Sequence, residues 1–595
     1  MNNTVIEALE SAAKQHGARV ALKSKRSGAW SEITWSAYRD SVRLVGRALI
    51  RLGVEPGKGV AIVGFNSPEW VIADLAAIYA GAMPAGIYTT NSPEQCRYVA
   101  HHCEAAVAFA ENAEQAAKFV KLRDELPLLK RVVQWSGTPV ATEGDWVIGW
   151  EALLEIGRTV PEADLDARAA AQKPDDPCTL IYTSGTTGDP KAVMITHRNL
   201  TFMASVLCTT LDFTRDEHII SYLPLSHVAE QVVSIHAPIE GAACVWFAES
   251  IDKLGDNLRE VRPTVFFAVP RVWEKIQAKM AAAGAQAPPL RKKIAAWARK
   301  QGLAGGFAEQ DGKSKPLFYG LANKLVFKTV RERLGLDRCK VAATSAAPIS
   351  RATLEFFLSL GLPVCEVYGM SECTGPTTLS TPARYRTGKV GWVLPGTELK
   401  IESDGEICMR GPHIFKGYYK DQNATTEALD AEGWLHSGDI GTLDEAGYVQ
   451  ITDRKKELII TAGGENVAPQ LIEGMLKSIP VIAQAVAIGD RMKYMTALVT
   501  LDPERVVEEA KLAGSPARSV AEAATCAVFK RHLDAEVGKV NDKLARVQSV
   551  KKIAILPAEL TIEGGELTPT MKLRRRVINV KYKEEIAGLY AGAEA

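Results

Sequence analysis

The stretch Thr179-Leu-Ile-Tyr-Thr-Ser-Gly-Thr-Thr-Gly-Asp-Pro-Lys-Ala-Val-Met-Ile195 decides how the rest of the chain is read. Two β-like apolar runs enclose Ser184, Gly185, Thr186, Thr187 and Gly188, and Lys191 follows directly. Glycines permit a tight path that exposes backbone N–H groups, while hydroxyls and an ammonium add donors for phosphate oxygens. A plain polar hairpin would not require all three in one short loop. The loop is not of the Walker A type, which needs GK[ST] leading straight into a helix. Here Asp189-Pro190 separates the last glycine from Lys191, and Ala192 to Ile195 reads as a strand. The stretch predicts a nucleotide-phosphate site carried by a strand–loop–strand unit.

Working outward, short β-rich runs alternate with helical segments up to about residue 450. Val60–Gly64, Ala106–Ala110, Val245–Phe247 and Val265–Val269 are such runs, and Trp70–Ala80 is helical between two of them. Alternation of this kind predicts an α/β fold, with parallel sheets covered by helices and more than one sheet for 595 residues. The texture changes near residue 380 into Gly-rich short strands, among them Glu398–Glu402 and Gly405–Arg410. The expected organisation is a large N-terminal domain over 1–455, with a small β-rich subdomain at about 380–450, and a smaller α+β C-terminal domain over 456–595.

Composition narrows the setting. The chain is 47% hydrophobic and 24% charged, ordinary globular usage that excludes a mainly disordered or collagenous protein. Seventy-one Lys+Arg against seventy Asp+Glu leave +1, which argues against bulk attraction to nucleic acid. The N-terminal residues read as a short amphipathic helix capped by Thr4, without a basic and apolar leader. The longest apolar run, Leu75–Tyr88, contains Gly81, Pro84 and Gly86 and falls short of the ~20 residues a membrane span needs. Ten scattered cysteines form no framework; Cys96, His101, His102 and Cys103 read as packing more than as metal ligands. These features point to a reduced, cytoplasmic setting. Residues 281–330 are basic, with Trp297, Phe307, Phe318 and Tyr319 interleaved, and two readings stay open: a solvated helical insertion, or a patch for peripheral contact with the inner membrane surface.

Further motifs follow the phosphate loop in order: Leu223-Pro-Leu-Ser-His227, Ser345-Ala-Ala-Pro348, Tyr368-Gly-Met-Ser-Glu372, Trp434-Leu-His-Ser-Gly-Asp439, Asp453-Arg-Lys-Lys-Glu457, Gly463-Gly-Glu-Asn466 and Pro569-Thr-Met-Lys572. With this set the sequence resembles the adenylate-forming superfamily of acyl-CoA synthetases, luciferases and adenylation domains over roughly residues 20–580. It looks most like long-chain fatty acyl-CoA synthetases of the bubblegum type. The resemblance implies ATP, Mg2+ and coenzyme A. A fatty acid attacks the α-phosphate of ATP to give an acyl-adenylate and pyrophosphate, and a thiol then displaces AMP. A carrier-protein thiol is the alternative acceptor.

The resemblance also distributes roles. Thr183 to Gly188 and Lys191 hold phosphate; Ser345, Ala346, Ala347, Tyr368 and Gly369 bind the nucleotide; Ser371 contacts the α-phosphate. Glu372 and Thr183 are the magnesium ligands, oxygen donors that suit a hard cation. Asp439 accepts from the ribose hydroxyls, with Arg454 as a second ribose contact. Lys572 is the catalytic cation of adenylation, since an ammonium between carboxylate and phosphate offsets both charges. The usual glycine before it is Met571 here. His227 lies on the acyl-side wall or is simply packed. Lys456 is the hinge of a rotating C-terminal domain, and Gly463 and Gly464 line the coenzyme A channel. An α-amino acid substrate is disfavoured because Leu225–Val233 has no aspartate, Glu230 being its one carboxylate. Gln231 stands where some relatives carry an aromatic gate.

Overall fold

The protein is described by a computed structural model covering residues 2–26, 28–183, 189–455, 457–463, 465–568 and 572–591. Local signals start the elements where the sequence places them. Thr4 accepts from the Glu7 N–H and opens the helix Val5–His16. Ser67 caps the helix Pro68–Tyr79, whose proline occupies the first turn where its missing N–H costs nothing. That helix is buried on every side, as a helix apolar all round must be.

Two large sheets form the N-terminal part. The first runs in the order Gly417–Tyr418, Lys191–Thr196, Pro177–Thr183, Met83–Ile87, Gly59–Val63, Val107–Ala110, Arg131–Gln134 and Val147–Gly149. The second runs from Trp392–Val393 through Gly375–Leu379, Val364–Met370, Val341–Thr344, Val265–Ala268, His218–Ser221 and Cys244–Phe247 to Val20–Arg26 and Ala29–Thr34. Their central strands pair in parallel and are apolar on both faces, as helix-covered sheets require. A continuous core joins Trp35, Trp70 and Phe109 with Tyr368 and Leu379, so the strand that carries Tyr368 rests on packed apolar layers.

A separate four-stranded antiparallel sheet comprises Glu398–Ile401, Glu406–Arg410, Leu435–Leu443 and Val449–Arg454. It begins later than the Gly-rich composition suggests and extends to Arg454, because Trp392–Val393 joins the second large sheet and Gly417–Tyr418 joins the first. Beyond it, Ile482–Ile488, Met495–Leu501 and Val550–Ile555 form a three-stranded sheet with its own core of Ile472, Val499, Phe529 and Leu533.

Candidate active site

Ser184–Gly188, expected from the sequence to hold phosphate, lie outside the described residues; the two strands that flank them are described. Strands Pro177–Thr183 and Lys191–Thr196 pair antiparallel, with Thr183 opposite Lys191. The Thr183 hydroxyl donates to the Lys191 carbonyl at 3.4 Å, and Tyr98 donates to the Pro190 carbonyl at 3.1 Å. The Lys191 ammonium sits 5.0 Å from the centroid of the Tyr418 ring. Tyr418 in turn donates its phenolic proton to Glu372 Oε1 at 2.7 Å. Lysine, aromatic face and buried carboxylate thus form one chain across two sheets.

Tyr368, Gly369 and Met370 end the strand Val364–Met370, and Ser371–Cys373 form the tight turn after it. A side chain at position 369 would place its Cβ 1.7 Å from the Gly375 carbonyl oxygen, so backbone approach dictates this glycine. The turn buries Ser371 and Glu372 together. Tyr368 donates to Asp439 Oδ2 at 2.9 Å, and Arg454 Nε donates to Asp439 Oδ1 at 3.1 Å. Asp439 and Arg454 are direct cross-strand partners, which fixes the guanidinium over the carboxylate. Each carboxylate oxygen keeps a further lone pair, so Asp439 retains capacity for two hydroxyl donors. Ser345, Ala346 and Ala347 follow the parallel neighbour Val341–Thr344, with Ala346 held at φ +75°.

Lys572 enters this group from the C-terminal part. Its ammonium is pushed down to about 8, first by burial and then by Arg454, with Asp439, Glu372 and Glu457 pulling the other way. The backbone around it closes locally: Lys572 N–H donates to Thr568 Oγ1 at 3.0 Å and Thr568 N–H to the Lys572 carbonyl at 2.8 Å. Residues 569–571 lie outside the described residues. Three residues on, Arg575 forms ion pairs with Glu473 at 2.8 Å and Glu457 at 3.4 Å, while Arg574 and Arg576 on either side of it are exposed.

His227 caps a short helix, its Nδ1 accepting from the Ala229 N–H at 3.2 Å. Its proton therefore sits on Nε2. Burial, and then the nearby Lys572 charge, push the imidazole down to about 4, so it is neutral in physiological conditions. Glu230 is tied into the scaffold: its Oε1 accepts from Ser221 and Ser234, both at 2.7 Å, and from Asn66 at 3.3 Å. Gln231 donates to the Leu225 carbonyl at 2.9 Å.

Lys456 and Gly464 lie outside the described residues. Gly463 occupies an exposed turn where an added Cβ would meet only Thr461 Oγ1 at 3.7 Å, so nothing in this arrangement demands glycine there. In the Cys96–Cys103 segment, His102 Nδ1 hydrogen-bonds with the Tyr182 hydroxyl at 2.8 Å and both cysteines are buried. Tyr418 escaped the sequence reading. Its one signal is the Gly417-Tyr418 dipeptide ending the Gly-rich stretch.

The paired strands that end at Thr183 and begin at Lys191, a tyrosine–aspartate–arginine cluster and the buried Glu372 stand together with Lys572 of the C-terminal part as the candidate site. Residues 9–419 match the family of AMP-binding enzymes and residues 456–594 match the AMP-binding enzyme C-terminal domain. The chain belongs to the AMP-binding enzyme family, in its adenylate-forming fold class. Within that family it is 42% identical to the long-chain-fatty-acid–CoA ligase ACSBG2 of Xenopus laevis, a match covering 99% of this chain and 84% of the relative. It is 37% identical to the human ligase of the same name, over 99% and 92% of the two chains. The adenylation domain of a Mycobacterium chelonae carboxylate reductase superposes with a TM-score of 0.76 at 20% identity, covering 99% and 91%. Among the described residues no helix is long and apolar enough to cross a membrane.

Proposed function

We propose that this chain activates a long-chain fatty acid with ATP and transfers the acyl group to coenzyme A. The observation that carries the reading is the meeting of Lys572, Arg454, Asp439 and Glu372 in one electrostatic group. The full-length similarity to long-chain-fatty-acid–CoA ligases supports the substrate class.

In the first step a fatty carboxylate oxygen bonds to the α-phosphorus while the bond to the pyrophosphate oxygen breaks. Two anions must approach, so fixed cations lower the barrier most. Lys572 bridges carboxylate and α-phosphate, Ser371 donates to the same phosphate, and Lys191 with residues 183–188 holds the departing pyrophosphate. Tyr368 and residues 345–347 seat the base, and Asp439 with Arg454 fixes the ribose. Glu372 and Thr183 would hold Mg2+. A buried carboxylate oriented by Tyr418 and a hydroxyl suit that hard cation, which when bound neutralises phosphate charge. His227, neutral and with its Nε2 proton free to donate, lies on the acyl side. In the second step the thiolate sulfur bonds to the acyl carbon and the adenylate oxygen leaves as AMP. Rotation of the domain at 456–595 about Lys456 withdraws Lys572 and brings Gly463 and Gly464 to the thiol channel.

Peripheral membrane contact belongs to the same reading. Leu317 is 90% exposed, and Phe318, Leu321 and Leu325 are also solvent-facing, with Lys313, Lys315, Lys324 and Lys328 beside them. Apolar anchors rimmed by lysine suit an anionic leaflet, where the fatty acid partitions.

Fatty-acid-dependent ATP–pyrophosphate exchange, followed by addition of coenzyme A, tests the proposal. Exchange with long-chain acids and acyl-CoA release are expected. Absence of exchange with any acid would overturn it, and exchange without acyl-CoA would point to a carrier-protein acceptor.

A further inference from the structure

The small antiparallel sheet holds a second cluster with ligand chemistry, apart from the nucleotide group. Cys408 and His436 are direct cross-strand partners on Glu406–Arg410 and Leu435–Leu443, and Glu406 lies two residues before Cys408. Among the described residues, Glu406, Cys408 and His436 are the group whose ligand atoms all fall within 4.8 Å of one another. His436 Nδ1 is 3.4 Å from Cys408 Sγ and 3.5 Å from Glu406 Oε2. Tetrahedral zinc, with bonds of about 2.3 Å to sulfur and about 2.0–2.1 Å to nitrogen and oxygen, sets a sulfur–nitrogen edge of about 3.6 Å and a nitrogen–oxygen edge of about 3.4 Å. Both observed edges fall within a few tenths of an ångström of that figure.

The surroundings also have the form of a ligand site. On the far side of the imidazole, Asp430 Oδ2 is 3.5 Å from His436 Nε2. A carboxylate taking the outer N–H leaves the Nδ1 lone pair aimed at Cys408 and Glu406, which is how metal-bound histidines are oriented. Lys455 already places a cation at the carboxylate, with its ammonium 2.8 Å from Glu406 Oε2 and 2.6 Å from Asp404 Oδ2. Since Asp404 holds the ammonium independently, Glu406 can exchange it for a metal. His436, one third exposed, opens the cluster to solvent.

We propose that Glu406, Cys408 and His436 form a binding site for a borderline-soft divalent cation of the zinc type, with one open position. Thiolate and imidazole select such an ion over magnesium, which prefers oxygen donors. The site lies beside Ser437–Asp439 and Lys455, so the ion would take Glu406 from Lys455 immediately before the proposed hinge.

Cobalt(II) titration of the full-length chain tests this, because a thiolate ligand gives cobalt a sulfur-to-metal charge-transfer absorption independent of catalysis. One equivalent should develop that band and zinc should displace it. C408S and H436Q should each weaken binding at least tenfold, with C408S losing the band. K455Q, which removes the competing ammonium, should tighten binding several-fold. Circular dichroism and melting of the cobalt-free variants establish that each is folded; should C408S fail to fold, H436Q and K455Q decide the matter alone. Absence of the band at one equivalent, a band persisting in folded C408S, or H436Q and K455Q both binding like the parent would overturn the proposal.

Discussion

Tyr418 reaches from one large sheet to donate a 2.7 Å hydrogen bond to Glu372, a buried carboxylate at the end of the other. Because its ring also faces the Lys191 ammonium, the same side chain stands between the proposed phosphate-holding lysine and the proposed metal ligand. Tyr418→Phe keeps the ring and removes only the donor. A hydrogen bond to a charged group is worth about 1.5–3 kcal/mol, roughly a 10- to 150-fold effect. The loss should fall on kcat/KM for exchange and shrink as magnesium is raised; equal activity at every magnesium concentration would remove Tyr418 from this role.

Lys572 gives a pH signature. In the proposed mechanism its charged form stabilises the transition state, and its folded-state value is pushed down to about 8. The ammonium is therefore lost as pH rises, and kcat/KM for exchange should fall above pH 8 in the free enzyme. Lys572→Ala should reduce exchange by roughly 10²–10³-fold and erase that alkaline limb from what remains. Thiolysis of supplied acyl-adenylate should survive, and equal loss of both steps would contradict the assignment.

Arg575 anchors the segment that follows Lys572. Truncating it to Met leaves Glu473 buried without its partner, a cost of about 3–5 kcal/mol. Calorimetry should show the C-terminal part melting earlier, and exchange should fall although Arg575 touches no substrate. Because Glu473→Gln removes the stranded charge, the double variant should regain part of the melting temperature.

The exposed apolar run offers a binding measurement separate from catalysis. The chain should co-sediment with vesicles containing phosphatidylglycerol more than with neutral ones, and less at high salt. Replacing Leu317, Phe318, Leu321 and Leu325 with Ser should cut the bound fraction at least fivefold without changing exchange on soluble acids. Identical sedimentation of parent and variant would dispose of the membrane contact.

What the sequence made legible was mostly local. Alternating apolar runs marked the strands, because buried parallel strands need continuous Val and Ile, and Thr4 marked a helix start; the helix expected over 70–80 begins earlier, at Pro68. The strand pair 177–183 and 191–196 could be read locally, since its two members are adjacent in the chain. Register was not legible. That Asp439 faces Arg454, and Cys408 faces His436, depends on how two strands slide past each other, which no short window encodes. Tyr418 was invisible for a related reason: a two-residue strand has no periodicity, and its partner Glu372 lies 46 positions away. Glu230 was ambiguous as a residue type, and only its bonds to Ser221, Ser234 and Asn66 show it committed to the scaffold.

Thr568 and Lys572 bond to each other twice, so the lysine carries its own mount. Under the proposed rotation it departs with that mount intact, and what changes is its surroundings. Held in the site it sits near 8, whereas in water it regains its ordinary value of 10.5. Near pH 8, each withdrawal therefore draws protons from the medium and each re-entry gives them back. In a single turnover started in all molecules at once, a weakly buffered indicator dye should register that uptake as a transient alkaline shift.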